Sequence, residues 1–292
     1  MNKKLYFTTV LAGLMLAACS SDDTPEQKSM EPVKEPVRTF YMTVDAAKES
    51  NDDNTRTTRA LSLDGSKLTA SWAIGEKVYV YAAYGTPAFW FIGYLEAKSA
   101  GTTTQLNGAL SLPDTWKGSI SDHVPYPYYL TLQFPKAGLR LYTGQKGTLA
   151  DVSANYDYAV AENVTFDIEG DHIRAVAAAT FHSQQAIVKF TLKDKADGTT
   201  LLNPTSFTVA YNSENIVLSE IPAATYTTNG NGVLFVAFPA LTKEQMDNAG
   251  VTTSVTLTAV VGGKTYSFTK DPYKFQNGKY YEIGVKMTKV SE

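Results

Sequence analysis

"LTASWAIGEKVYVYAAY", Leu68–Tyr84, holds the reading that decides the fold. Val78 and Val80 alternate with Tyr79 and Tyr81. A period of two places successive side chains on opposite faces of a pleated strand. Gly75 supplies a turn just before it, since glycine takes backbone angles that other residues avoid. The segment therefore predicts a turn and then a half-buried strand.

Working outward, the same alternation recurs on both sides. In "RTFYMTVDA" (Arg38–Ala46), Phe40, Met42 and Val44 share one face and Thr39, Tyr41 and Thr43 the other. "AKESNDDNTRTTRA" (Ala47–Ala60) is polar and reads as an exposed loop. Further strands are predicted at Ala88–Leu95, Tyr128–Phe134, Asn163–Ile168, Ala186–Leu192, Ser206–Tyr211 and Gly232–Phe238. "SVTLTAVV" and "KTYSFTK" flank Gly262-Gly263, the spacing of a tight hairpin. Asn277-Gly278 marks another turn before a closing strand. There Tyr281, Ile283, Val285 and Met287 share one face, and Glu282, Gly284 and Lys286 the other. Such a strand is expected to be an edge that can be lent to a neighbour. One short connector helix is predicted, with a capping box at Thr242–Gln245 and a stop at Gly250. The spacing suits antiparallel sandwiches, with a domain boundary near Val176–Ala186.

Composition agrees and excludes much. The 292 residues carry a net charge of -3 with no basic stripe, which argues against nucleic acid. Eighteen tyrosines and thirteen phenylalanines suit pleated surfaces. The single cysteine, Cys19, leaves no disulfide, thiolate metal site or cysteine nucleophile in the remainder. It closes a leader of Lys3, Lys4 and an apolar run from Leu5 to Ala17. Leu16-Ala17-Ala18-Cys19 resembles the lipobox of bacterial lipoproteins, which implies acylation of Cys19 and anchorage in the outer membrane. Ser20-Ser21-Asp22-Asp23 resembles the acidic tag that sends some lipoproteins to the outer leaflet. From Ser20 to about Val37, Pro25, Pro32, Pro36 and acidic residues read as a flexible tether.

Residues for chemistry are sparse. The histidines are His123, His172 and His182, none at ligand spacing from another. No nucleophile elbow, phosphate-binding glycine loop or zinc-protease motif occurs. His182 beside Ser183 reads as a strand-end histidine rather than a base with its nucleophile. Asp167, Glu169 and Asp171 with His172 could offer calcium its oxygens, but they also suit the solvent face of a hairpin. Ser50–Asn54 reads as solvated loop. Trp90 and Trp116 could stack on sugars, though in a β-rich chain they are more often core. The expectation is no enzyme, no metal and no cofactor.

The sequence "NTRTTRALSLDGSKLTASWAIGEKVYVY" (Asn54–Tyr81), the lipobox leader and the closing "FQNGKYYEIGVKMTK" together resemble the fimbrillin family. The resemblance implies an all-β fold of two transthyretin-like antiparallel β-sandwich domains in tandem. The expected layout is a leader at 1–18, a tether at 19–37, an N-terminal strand and cleavable loop at 38–59, and sandwiches at 60–180 and 181–292. It also implies a surface fimbrial subunit that joins other fimbrial subunits by strand exchange and is held to the outer membrane by lipid. An adhesive face would take a host or bacterial surface ligand. Shaft members of the family are cut after an arginine, here Arg59 with Arg56 close by, which would leave Ala60 as the first residue. The alternative is a stand-alone surface lipoprotein that binds glycans through exposed aromatic rings.

Overall fold

The computed structural model describes residues 37–48, 61–64, 67–83, 89–113, 130–134 and 141–291. Cys19, Arg56, Arg59, Ala60, Trp116, His123 and the stretch Ser50–Asn54 lie outside them.

The chain begins with β1 (Val37–Lys48), β2 (Ser62–Asp64), β3 (Lys67–Thr69), β4 (Lys77–Ala83), β5 (Phe89–Ala97), β6 (Thr103–Pro113) and β7 (Leu130–Phe134). Helix α1 (Leu149–Asn155) is followed by β8 (Ala159–Val164), β9 (Phe166–Glu169), β10 (His172–Ala175) and β11 (Ala179–Ser183). Then come β12 (Ala186–Asp194), β13 (Ser206–Tyr211), β14 (Glu214–Ser219), α2 (Ala223–Asn229), β15 (Val233–Phe238) and α3 (Lys243–Asp247). The chain closes with β16 (Val255–Val261), β17 (Lys264–Lys270) and β18 (Tyr280–Ser291). All of these lie in one unit, Pro36–Glu292. The protein is all-β with short connecting helices.

The alternation read in the sequence becomes burial. Phe40, Met42, Val44 and Ala46 of β1 point inward, as do Val78 and Val80 of β4. β1 runs two residues beyond the expected strand. Its last inward position is Lys48, which is buried rather than part of an exposed loop. Gly262 and Gly263 sit at φ +55° and +77° between paired Val261 and Lys264, which is the left-handed geometry a two-residue hairpin demands. The capping box of α3 is formed in both directions. Gln245 N–H donates to Thr242 Oγ1 at 3.2 Å and Thr242 N–H to Gln245 Oε1 at 2.9 Å. The helix stops at Asp247, before Gly250, because Asn248 already leaves helical geometry at ψ 113°. Helices α1 and α2 were not expected.

The first sheet has the order β11-β8-β7-β4-β5-β6-β1-β10-β9, and β1 pairs with β11 as well. Seven of these strands therefore close on themselves as a barrel, and β1 is the stave that closes it. It lies antiparallel to β6 from Val37 to Ala47. On its other side it runs parallel to β10 at Tyr41–Thr43 and to β11 at Ala46–Lys48. The second sheet has the order β14-β13-β16-β17-β18-β12-β15.

Here the expectation of an edge at the closing strand is corrected, since β18 lies inside its sheet. Tyr280–Met287 pair in parallel with β12, and Thr288, Lys289 and Ser291 pair with β17. At 12 residues, or roughly 40 Å, the strand is long enough to take a different neighbour at each end.

Each sheet encloses its own core. The first is built on Phe40, Met42, Trp72, Val80, Leu106 and Phe181. The second centres on Phe190, Phe207, Phe238, Phe275 and Met287, and it also takes in Leu68, Tyr142 and Val152 from earlier in the chain.

Candidate functional site

The residues from Ser71 to Lys77 form the clasp that receives the end of β1. Glu76 N–H donates to Ala73 O at 3.1 Å, which closes a four-residue turn. Gly75 occupies its third position at φ +77°, and exposed Ile74 its second, as a type II turn requires. Trp72 is pinned antiparallel to Gly101, donating to its carbonyl at 2.6 Å and accepting from its N–H at 3.2 Å. Its ring meets Phe181 edge-on, with centroids 5.2 Å apart.

Lys48 reaches into this clasp. Its Nζ donates to Ser71 O at 2.8 Å and lies 3.1 Å from Glu76 Oε2 and 3.3 Å from Oε1. It also stands 4.1 Å above the centre of the Trp72 ring, a cation–π position. The two charged side chains are only 1% and 2% exposed. Glu76 Oε2 accepts a further bond from Ala73 N–H at 3.1 Å, so the turn that precedes β4 also holds the carboxylate in place. Ser71 O, the Trp72 ring and the Glu76 carboxylate thus converge on one cation supplied by β1, and Gly75 turns the chain between the last two. Sequence reading missed Lys48, because it opens a polar run and nothing local marks it as inward. The period of two continued from Phe40 would have reached it.

The candidate donor residues lie together in β18. Val285 and Met287 are buried, Tyr281 and Ile283 are half-buried, and Glu282, Gly284 and Lys286 face out. Burial raises the Tyr281 phenol above its ordinary pKa, and its oxygen accepts from Gln276 N–H at 2.9 Å. The candidate lipid site Cys19 and the candidate cleavage residues Arg56, Arg59 and Ala60 fall outside the described residues.

The remaining sequence candidates are dispersed. His182 is exposed and Ser183 buried on successive positions of β11, so they face opposite ways and cannot act as base and nucleophile on one substrate. Asp167, Glu169, Asp171 and His172 line the β9–β10 hairpin, with His172 Nδ1 2.7 Å from Asp171 Oδ1. Among the described residues no three such side chains converge as a metal site. Trp90 lies in β5, but its side chain is not among those described.

A different aromatic group does face solvent on the first sheet. Tyr79 pairs with Tyr94 across β4 and β5, and Tyr41 of β1 pairs with His172. Tyr41, Tyr94 and Phe91 are 54%, 42% and 45% exposed. Lys77 Nζ lies 4.3 Å over the Tyr94 ring, and Phe91 lies 6.0 Å from Tyr79 and 5.6 Å from Tyr81.

No family model matches the chain. No curated protein matches it either. The chain is similar to solved structures of fimbrial proteins. A fimbrial protein from Bacteroides ovatus is 9% identical with a TM-score of 0.34; the match covers 85% of this chain and 50% of that one, so this chain spans half its length. A fimbrial assembly protein from Parabacteroides distasonis is 12% identical, covered over 87% of this chain and 93% of its own, with a TM-score of 0.36. The tip fimbrial protein Mfa3 from Porphyromonas gingivalis, with a C-terminal truncation, is 10% identical, covered over 85% and 95%, with a TM-score of 0.36.

Proposed function

We propose that the chain is a structural subunit of cell-surface fimbriae, exported as a lipoprotein through Cys19 and assembled by donor-strand exchange. The observation that carries this reading is the position of β1. It closes the barrel, is paired on both sides, and connects to the rest of the fold through residues 49–60. A cut after Arg59 would leave all of β1 on the departing side. Phe40, Met42 and Val44 each contribute roughly 1.5–3 kcal/mol by burial, so loss of β1 would open an apolar groove. Its rims would be β6 on one side and β10 with β11 on the other, unpaired edges that template another strand. The strand of a neighbouring subunit fills that groove, and cleavage acts as the switch for assembly. A subunit cut there belongs to the shaft, and one that keeps Cys19 is an anchor or a tip.

The N-terminal residue of protein recovered from cells, read beside an Arg56→Ala/Arg59→Ala variant, tests this. The expected result is Ala60 at the wild-type N-terminus, with the variant longer and without its SDS-resistant ladder. If the variant matches wild type in mass and the ladder persists, β1 is never removed and the switch does not exist.

Exposed Tyr41, Phe91 and Tyr94, with half-buried Tyr79 beside them, favour a second reading, an adhesive face that takes glycans by stacking sugar rings on aromatic ones. A glycan array with wild type and a Phe91→Ala/Tyr94→Ala variant separates the two, since a pure shaft subunit binds nothing on the array. Neither reading calls on an active site.

A further inference from the structure

We infer that the outer face of the first sheet holds a slot for one neutral sugar ring, with Tyr94 and Tyr41 as its walls and Ala109 as its floor. This rests on the adhesive-face reading above and gives that face a seat and a ligand class. The strand register lays the three residues out in one row. Gly93 pairs with Leu110 and Glu96 with Asn107, which sets Ala109 opposite Tyr94. Ala109 in turn pairs with Tyr41. The small side chain of Ala109 thus lies between two exposed tyrosines two strands apart. Strands β5 and β1 flank β6, so their axes are about 10 Å apart. Two stacked contacts of about 3.5–4.0 Å take up roughly 7–8 Å, which leaves room for one intervening ring and not two. Each wall is also backed on its far side. Lys77 of β4 holds its Nζ 4.3 Å over the Tyr94 ring, and the His172 ring of β10 lies 6.0 Å from that of Tyr41. Seen from β6, β4 and β10 are the strands beyond the two tyrosines. The ring faces left open therefore look toward each other across Ala109.

The surroundings of the slot select the ligand. Two residues along each strand from the aromatic row, Glu96, Asn107 and Thr43 form a second row on the same face. Their carboxylate, amide and hydroxyl groups have nothing to bond in a purely apolar ring. A pyranose offers its C–H faces to the tyrosines and its hydroxyls to that row. Charge narrows the choice further. The basic side chains around the slot each stand opposite a carboxylate on the neighbouring strand. Lys77 pairs with Glu96, Arg174 with Asp167 and His172 with Glu169. No net positive field is left to hold sialic acid, sulfate or phosphate, so the ligand is a neutral sugar. Tyr41 is carried by β1, so only a chain that keeps β1 has both walls.

The test uses the full chain with Arg56→Ala/Arg59→Ala, so that β1 is retained. It is applied to an array of neutral oligosaccharides of glucose, galactose, mannose and N-acetylglucosamine, with sialylated and sulfated chains beside them. The tightest neutral oligosaccharide is then titrated by calorimetry against four further variants. Tyr41→Ala removes one wall and should weaken binding roughly three- to tenfold. Tyr41→Phe keeps the ring and should bind as the parent does. Ala109→Leu fills the slot from an exposed position and should weaken binding about tenfold or more. Ala109→Ser leaves the floor low and should bind as the parent does. Because wall and floor are varied separately, loss of fold in one variant leaves the other to decide. A blank array overturns the adhesive reading and this inference with it. Binding that Tyr41→Ala and Ala109→Leu leave unchanged overturns the slot alone, since the glycan then sits elsewhere on the chain. Binding confined to sialylated or sulfated chains overturns the neutral ligand.

Discussion

Lys48→Met removes a charge from the barrel wall while keeping most of the side-chain volume, and its consequence can be worked from the geometry. Lys48 Nζ stands 3.1 Å from Glu76 Oε2, with both side chains at most 2% exposed. At an effective dielectric near 20 the attraction is roughly 5 kcal/mol, and the Trp72 face adds about 2 kcal/mol when the cation is desolvated. Against this stands a desolvation penalty of several kcal/mol for each ion, so the pair as a whole stabilises little relative to two neutral groups. Breaking it from one side is a different matter. Lys48→Met leaves the Glu76 carboxylate buried beside Trp72, and the expected loss is about 3–5 kcal/mol. Adding Glu76→Gln should recover at least about 2 kcal/mol of that loss, because glutamine carries no charge and keeps an oxygen for Ala73 N–H. The assay is equilibrium unfolding in urea, which does not screen charge as guanidinium salt would. The reasoning is refuted if Lys48→Met costs less than about 1 kcal/mol, or if the double variant is no more stable than the single one.

Four further outcomes are expected. Gly75→Ala should cost about 1–2 kcal/mol from its left-handed backbone alone, since an added Cβ meets nothing within 4 Å. Gly108→Ala should cost more, because its Cβ would fall 2.2 Å from Tyr94 O and force β5 from β6; urea midpoints rank the two. Tyr226 donates to Pro204 O at 2.6 Å, and burial raises its phenol above the ordinary value near 10. The folded state therefore keeps a proton that the unfolded chain gives up. Its contribution is whole below about pH 10 and declines as the pH rises further, and Tyr226→Phe should flatten the alkaline part of a stability–pH profile. In the Arg56→Ala/Arg59→Ala background, where the Cys19 segment is kept, Cys19→Ala should release the protein from membranes, and the form with Cys19 alone should take up labelled fatty acid; continued membrane partitioning by the Cys19→Ala form would contradict the anchor.

What the sequence determined by itself is what neighbouring residues decide among themselves. The alternation of Phe40, Met42 and Val44 gave a strand and its inward face, because side chains on a pleat change sides at every residue. Gly262-Gly263 gave a hairpin and Thr242–Gln245 a helix start, since backbone angles and local hydrogen bonds suffice for both. The inward face of the closing strand was legible for the same reason. Other features were set by partners far along the chain. Strand β6 escaped notice because its inward row includes Thr104 and Gly108, and Gly108 is small only because Tyr94 O of β5 presses against it. That β18 lies inside its sheet follows from β12 and β17 flanking it, which no property of the strand announces. Lys48 reads as the start of a solvated loop until Glu76 and Trp72, more than twenty residues away, close around its ammonium. A buried charge is tolerated only where a distant group neutralises it, and that pairing exists only once the barrel has closed.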